Sequence, residues 1–486
     1  MKKEIKKYSI DFAGRTLSVE IGKFAQQATS SCLVRYGSTA VLVTATLGEQ
    51  REGVDYFPLM VDYDEKLYAA GKIKGSKWVK REGQPTEDAI LTGRVIDRSI
   101  RPLFDETFRK DVQVVTMVLE YDGENDPCFV ALMGASIALS ISPIKWDGPV
   151  AGFGVGKIGN ELVLVPTATA KEKSNFDLFV TGTPHGIDMI EARCGEAQES
   201  EVFEAIEFAS KHINKLISFV SDIQKEIGVE KIDDIGSLSQ EDLDLRKMID
   251  DKIEEFFKDK DVKDIYDADK AKTKENIKKL TTELNEVLKS DNDVSKDARA
   301  FGMRRLDDML TKKAREMILK DGIRPDRRGI DQIRDLSCEV GLFERTHGTG
   351  LFQRGETQVL SIVTLGAPGE EQSIDGMEIE EKKRYMHHYN FPGFSVGEVS
   401  AKRGVSRREI GHGALAENAL LPVIPSREDF PYTIRVVSEV LGSNGSSSQA
   451  SACGSTLALW MPVFLLSVQL PVLLWDLLQV MIKKIM

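Results

Sequence analysis

The sequence is short of cysteine and short of positive charge. Cys32, Cys128, Cys194, Cys338 and Cys453 are scattered, odd in number and free of close pairs. That excludes a disulfide framework or a zinc site and fits reduced thiols in the cytoplasm. With 65 Lys and Arg against 77 Asp and Glu, the formal net charge is -12. The whole molecule therefore repels nucleic acid, and any RNA or DNA site has to be a local basic patch. No apolar run follows the charged start Met1-Lys-Lys-Glu-Ile-Lys-Lys7, so it does not read as a signal peptide. What is present, 41% hydrophobic and 29% charged residues in a chain of 486, describes a soluble protein with real cores and a length for about three domains.

Along the chain, residues 6–60 alternate and carry β-branched side chains, which predicts short strands between Gly turns. Residues 75–83 form a polar loop with one aromatic, Trp78, among cations. A helix is predicted over about 86–101, with Arg94, Arg98 and Arg101 on one face. Two readings of that face stand: a solvated stripe paired with Glu87 and Asp97, or a phosphate-facing stripe. A strand over 112–119, a turn at Asp122 and a small-residue apolar helix over 131–141 follow. Residues 149–193 alternate again, with Gly turns expected at 152–159. From about 201 the period becomes helical, and Lys- and Glu-rich surface helices of a small all-α domain run to about 320. Gly322 and Pro325 end that run.

Self-similarity decides the architecture. Gly37-Ser-Thr-Ala-Val-Leu-Val-Thr-Ala-Thr-Leu-Gly48 matches Gly355-Glu-Thr-Gln-Val-Leu-Ser-Ile-Val-Thr-Leu-Gly366 at seven of twelve positions. Val112–Leu119 lines up with Ile434–Leu441, and Gly134–Leu139 with Gly454–Leu459, at offsets of 318 to 322. Three collinear matches imply two copies of one α+β domain with the helical region inserted between them.

The copies differ where chemistry would sit. Between the last strand and the helix, the first has Asp122-Gly-Glu-Asn-Asp-Pro127 and the second has Ser443-Asn-Gly-Ser-Ser-Ser448. An acidic loop rejects phosphate. Hydroxyls and a Gly-containing turn before a helix N-terminus suit an anion. An ordinary Ser-rich N-cap turn is the plain alternative. Arg407, Arg408 and His412 in the same domain favour the anion site, because convergent cations on such a loop are what phosphate binding requires.

At these residues the chain resembles bacterial polynucleotide phosphorylase, a family built from two RNase PH-like domains. The segments that carry the resemblance are Leu351-Phe-Gln-Arg-Gly-Glu-Thr-Gln358, Arg407-Arg-Glu-Ile-Gly-His-Gly413, the Ser443–Ser448 loop, and Arg94-Val-Ile-Asp-Arg-Ser-Ile-Arg-Pro-Leu-Phe104. It covers about residues 5–459. It implies phosphorolysis of single-stranded RNA from the 3′ end, with inorganic phosphate as co-substrate, nucleoside diphosphates as products, and polymerisation as the reverse reaction. By the resemblance, Ser446, Ser447 and Ser448 bind the attacking phosphate, Arg407 and Arg408 hold the RNA end and the phosphoryl group, and His412 lines the same site. Trp78, Lys80 and Arg81 stand where the family carries a Phe-Phe-Arg-Arg constriction, with Val79 in place of one aromatic. Arg94, Arg98 and Arg101 are assigned to RNA as well. The family forms ring-shaped homotrimers and uses Mg²⁺, whose ligands belong to a segment beyond Leu459, so no metal ligand is expected within this chain.

After Leu459 the match to the family stops. Residues 460–486 read as about 20 apolar residues interrupted by Pro462, Gln469, Pro471 and Asp476, a poor membrane anchor. Trp and Met have single codons. Moving the frame back one base across Trp460-Met461-Pro462 gives Met-Asp-Ala, and across Trp475-Asp476 it permits Ala-Met-Gly-Leu, both as the family continues. A frameshift is the expectation, with no membrane partner. The chain is thus read as α+β: a first RNase PH-like domain in two halves (1–145 and 146–235), an all-α insert (236–320), an incomplete second RNase PH-like domain (321–459) and an out-of-frame tail (460–486). The leading function is RNA phosphorolysis in the cytoplasm, impaired by the truncation. A non-catalytic ring subunit that only threads RNA, or a membrane-tethered variant, are the alternatives.

Overall fold

A computed structural model describes residues 4–50, 56–73, 80–105, 108–232, 240–290, 294, 296–401 and 404–460. The described residues of 1–232 and 336–486 form one compact unit, and those of 233–335 form another. Trp78 and residues 461–486 lie outside the described residues, so that ring and the tail have no structural account.

The first repeat begins with strands β1 (Lys6–Phe12), β2 (Arg15–Ile21), β3 (Ser30–Tyr36), β4 (Thr39–Gln50) and β5 (Leu59–Asp64). Helix α1 (Glu87–Ile100), strand β6 (Lys110–Glu120) and helix α2 (Pro127–Ile141) follow. The sheet order is β1-β2-β3-β4-β6-β5, antiparallel except for the β5–β6 pair. A second sheet, β10-β9-β7-β8, is built from β7 (Ala151–Ile158), β8 (Glu161–Leu164), β9 (Phe176–Thr183) and β10 (Gly186–Cys194). A short helix, α3 (Ala168–Lys171), precedes β9, and α4 (Glu199–Ile227) closes the repeat. Helix α2 packs against β3 and β4 on one side and β7 and α4 on the other. That is why fourteen of its fifteen residues are buried and it carries no polar face. The glycines expected as turns at 152–159 are corrected here. Gly152, Gly154 and Gly156 lie inside β7, and only Gly159 turns the chain with a positive φ. A Cβ at Gly152 would sit under 3.0 Å from Thr181 and the Val180 carbonyl on the neighbouring strand, so the residue serves close approach.

The insert comprises α5 (Gln240–Phe257), α6 (Val262–Ile265), α7 (Lys270–Lys289) and α8 (Lys296–Asp321). Charged as they are, these helices enclose a core of their own around Ile249, Ile253, Phe257, Leu284, Leu288 and Leu306. The Arg324–Arg328 segment belongs to this unit. Asp326 accepts from Arg328 (2.8 Å) and pairs with Arg334 (3.0 Å).

The second repeat has β11 (Leu336–Val340), β12 (Gly348–Arg354), β13 (Thr357–Gly366), the hairpin β14 (Gln372–Asp375) and β15 (Glu380–Lys383), β16 (Tyr385–Asn390), α9 (Arg407–Leu420), β17 (Thr433–Gly442) and α10 (Ser447–Leu459). Its sheet order, β11-β12-β13-β17-β16, repeats β2-β3-β4-β6-β5, again with only the last pair parallel. The register repeats too. Leu33 faces Leu42 in the first repeat, and at the equivalent positions of the second Leu351 faces Leu360. The paired glycines of the sequence match have one physical cause. A Cβ at Gly134 would meet Val43, and a Cβ at Gly454 would meet Ser361, each under 3.0 Å. In both repeats the helix crosses its sheet at the same strand position and leaves no room for a side chain.

The repeats are joined by more than sequence. The tip of the β14–β15 hairpin carries Met377, 1% exposed, into the core of the first repeat. Burying such a side chain stabilises by about 2 kcal/mol. Lys72 donates to the Gly376 carbonyl (3.3 Å) and faces Glu380 at 3.8 Å.

Candidate anion site of the second repeat

The site forms where β17 runs out and α10 begins. Thr357, at the start of β13, donates to the Gly445 carbonyl (3.0 Å) and accepts from the Asn444 backbone (3.0 Å), which fixes the loop. Gly445 and Ser446 both take positive φ, 84° and 54°. Ser446 is the N-cap residue of α10, yet its side chain makes no cap hydrogen bond. This departs from a plain Ser cap, in which the hydroxyl takes an N–H of the first turn. Ser447 and Ser448 are buried, and Ser446 is exposed.

In the first repeat the equivalent loop is filled from within. Thr39 stands at the repeat position of Thr357. It donates to the carbonyl of Asn125 (3.1 Å), the residue at the repeat position of Gly445. There the loop is slightly longer, and Asp122 folds into it. Its carboxylate accepts from the backbones of Ser38 (3.0 Å), Glu124 (3.0 Å) and Asn125 (2.8 Å). Partial burial would raise that carboxyl, but the hydrogen bonds led by Asn125 outweigh it and pull it down to about 2. Asp126 caps α2 from its own side chain. The first loop satisfies its donors with its own carboxylates. The second loop contains none.

The cations come from α9 and α1. Ser406 and Glu409 form a capping box that starts α9, and Glu409 also accepts from the Phe391 backbone (2.9 Å). Arg408 lies over the Phe391 ring, 5.6 Å from its centre. Phe391 stacks on Tyr389 at 6.3 Å, His412 meets Tyr389 edge-on at 5.0 Å, and the Tyr389 hydroxyl shares a 2.7 Å hydrogen bond with Ser447. Arg94 reaches over from the first repeat and packs against Gly411. Burial first, then the charges of Arg94 and Arg408, hold the His412 ring down to about 4, so it is neutral at pH 7. Its Nδ1 is buried without a hydrogen-bond partner among the described residues. Burial also lowers Arg94, with the neighbouring Arg98 and Arg408 adding to it. Arg94 and Arg408 thus both act on His412, which reaches the first residue of α10 through Tyr389, and cations brought together in this way favour an anion.

The remaining expected residues fall elsewhere. Arg407 donates to the Val61 carbonyl (2.5 Å) and pairs with Asp62, so here it ties α9 to the first repeat. Arg98 pairs with Glu191 (2.5 Å) and Arg101 with Asp97 (2.7 Å). Of the α1 stripe, Arg94 is the member that meets α9. Lys80 and Arg81 are exposed. Tyr389, Phe391, Glu409 and Thr357 belong to the site, and sequence reasoning passed over them. The signal was available for two of these: Tyr389 sits at the repeat position of Tyr63, and Thr357 at that of Thr39.

Among the described residues no group of three or more His, Cys, Asp or Glu is placed to hold a metal ion. No helix among them is long and apolar enough to cross a membrane.

Compared with known proteins, residues 13–145 and 332–461 match the RNase PH family, described as "3′ exoribonuclease family, domain 1". A polyribonucleotide nucleotidyltransferase of Alkaliphilus oremlandii is 50% identical over 461 residues, covering 93% of this chain and 63% of that protein. Its counterpart in Clostridioides difficile is 48% identical over 458 residues, 94% of this chain and 64% of that one. That of Bacillus cytotoxicus is 48% identical over 462 residues, with 94% and 64% covered. The chain spans just under two thirds of the length of these relatives.

Proposed function

Because the chain belongs to the 3′ exoribonuclease family and carries its domain twice, we propose that it degrades single-stranded RNA from the 3′ end by phosphorolysis. The observation that carries this is the α10 N-terminus without a side-chain cap, joined through Tyr389 to His412, on which Arg94 and Arg408 act. Inorganic phosphate binds at Ser446–Ser448. One of its oxygens attacks the phosphorus of the terminal phosphodiester. The new P–O bond makes a nucleoside diphosphate, and the broken one frees the preceding ribose 3′ oxygen, which leaves as a hydroxyl after taking up a proton. Two anions have to be held together while charge builds on the phosphoryl oxygens, and fixed cations and helix-end N–H groups do this without reorganising. Arg408 and Arg94 supply the charge. Neutral His412 offers a ring nitrogen. By the resemblance Arg407 holds the RNA end, which requires its release from Asp62.

Mg²⁺ dependence, a homotrimeric ring and a cytoplasmic location belong to the same reading and rest on the resemblance. So does the view that residues 460–486 are out of frame. The test is release of ADP from poly(A) with Mg²⁺ and phosphate. The product of a gene corrected by one base near codon 460 is expected to release ADP only when phosphate is present, and the 486-residue product to release little. Failure of both products rejects the function. Full turnover by the uncorrected chain rejects the impairment.

A further inference from the structure

We propose that Tyr389 is a positioning residue of this site, one that sets the hydroxyl side of the anion pocket against its cationic side. The inference rests on the phosphate-site reading above. Tyr389 is 2% exposed and stands on β16 in register with Ser438 of β17. Its hydroxyl holds Ser447 at 2.7 Å, its ring edge holds His412 at 5.0 Å, and its face carries Phe391, over which Arg408 lies. A single buried side chain therefore touches the first residue of α10 and, directly or through one ring, the two groups of α9 that face it.

The first repeat is an internal control. Tyr63 stands on β5 in register with Thr116 of β6, the repeat position of Ser438. It is equally buried, yet its hydroxyl has no hydrogen-bond partner among the described residues. Each contact of Tyr389 has lost its chemistry there. Pro127 replaces Ser447 as the first residue of the helix, Thr92 replaces His412, Asp88 replaces Arg408 and Glu65 replaces Phe391. The tyrosine fills the same place in the fold in both repeats, so packing alone does not require its hydroxyl. Only where the anion loop is present does that hydroxyl take a partner, and the partner is Ser447. A phenol is suited to this: it is rigid, with its oxygen fixed in the ring plane, and it places a hydroxyl at the end of a packed apolar body.

The test is binding of inorganic phosphate by the 486-residue chain, measured by calorimetry for the parent, Tyr389→Phe, Ser447→Ala and the double variant. Each single variant is expected to weaken phosphate about tenfold, the scale of one hydrogen bond. The double variant loses no more than Ser447→Ala alone, because the Tyr389 hydroxyl acts through Ser447. The melting temperature of Tyr389→Phe stays within a few degrees of the parent, so a loss of phosphate affinity is not a loss of the fold. Parental phosphate affinity in Tyr389→Phe, a double variant weaker than Ser447→Ala, or a loss of phosphate affinity that comes with unfolding each overturn the proposal. Tyr389-dependent phosphate binding without phosphorolysis by the frame-corrected protein overturns the proposed function and leaves the positioning role standing. Phosphorolysis that is indifferent to Tyr389→Phe does the reverse. A parent that binds no phosphate overturns the positioning role and leaves the function to the frame-corrected protein.

Discussion

The guanidinium of Arg94, on the first repeat, occupies the space that a side chain at Gly411, on the second, would need. A Cβ built at Gly411 falls under 3.0 Å from three atoms of that guanidinium. The absence of a side chain on α9 is thus what admits a cation from α1 beside His412 and Arg408. Gly411→Ala is expected to push Arg94 out. A flexible side chain yields easily, so the melting temperature should shift by only a few degrees. Phosphorolysis by the frame-corrected protein should fall by about tenfold or more, as in Arg94→Ala, since a charged donor is lost. Parental turnover in both variants would remove Arg94 from the site.

Arg408 makes the stronger claim. It rests on the Phe391 face, and no carboxylate pairs with it among the described residues. In the frame-corrected protein, Arg408→Ala should slow phosphorolysis at least about a hundredfold, roughly 3 kcal/mol of transition-state stabilisation. Steady-state assays with poly(A) at saturating phosphate decide it, and near-parental turnover would make Arg408 structural.

Lys80 and Arg81 are assigned to RNA by the resemblance and are exposed. Replacing both with Ala removes two phosphate contacts. The slope of log affinity against log salt should become shallower by about 1.4, which is about 0.7 for each contact to a single strand. Anisotropy titrations at several salt concentrations measure it, and an unchanged slope takes the loop out of the RNA path.

His387 predicts a pH dependence of stability. It is 4% exposed and hydrogen-bonds through Nε2 to Ser438 (3.0 Å) and Ser455 (3.1 Å). Burial, with the neighbouring His388 adding to it, lowers its ring to about 4 from the usual 6.5. The unfolded chain therefore binds the proton more tightly. The stabilisation is complete above about pH 6.5 and is lost as pH falls toward 4. Between pH 7.5 and 5 the parent should lose about 2 kcal/mol of unfolding free energy that a His387→Phe variant does not lose. Urea unfolding at the two pH values compares them, and equal losses in both proteins would refute the assignment.

In the first repeat, Asp122→Ala should destabilise the loop before α2 by about 1 kcal/mol at pH 7, a modest figure because the carboxylate is exposed. Asp122 lies below its usual carboxylate range. Its contribution is present above about pH 4 and disappears as pH falls through about 2, so parent and variant converge in acid. Chemical denaturation at pH 7 and pH 2.5 tests this, and a constant gap between the two would refute it.

The sequence by itself determined the architecture. The matched strands, the matched glycines and the change from alternating to helical period were enough to read two α+β repeats around an all-α insert. Those signals are local: strand alternation, helical period and a glycine forced by close approach all repeat when the packing repeats. The composition of the two loops was legible for the same reason, since Asp122 and Ser446 through Ser448 sit at equivalent turns. Tertiary structure decided which of these residues meet. The Arg94, Arg98 and Arg101 stripe reads as one face with Asp97 as a partner, and Arg101 does take Asp97 one turn back, yet the fold sends Arg94 to α9 and gives Arg98 to Glu191. Partners on a remote strand of the second sheet and on a helix of the other repeat leave no trace in helical spacing. Arg407 pairs across the repeats with Asp62 for the same reason. Tyr389 looked like one more strand aromatic, because the hydroxyl it holds belongs to a later helix, and only the parallel placement of β16 beside β17 brings α10 over it.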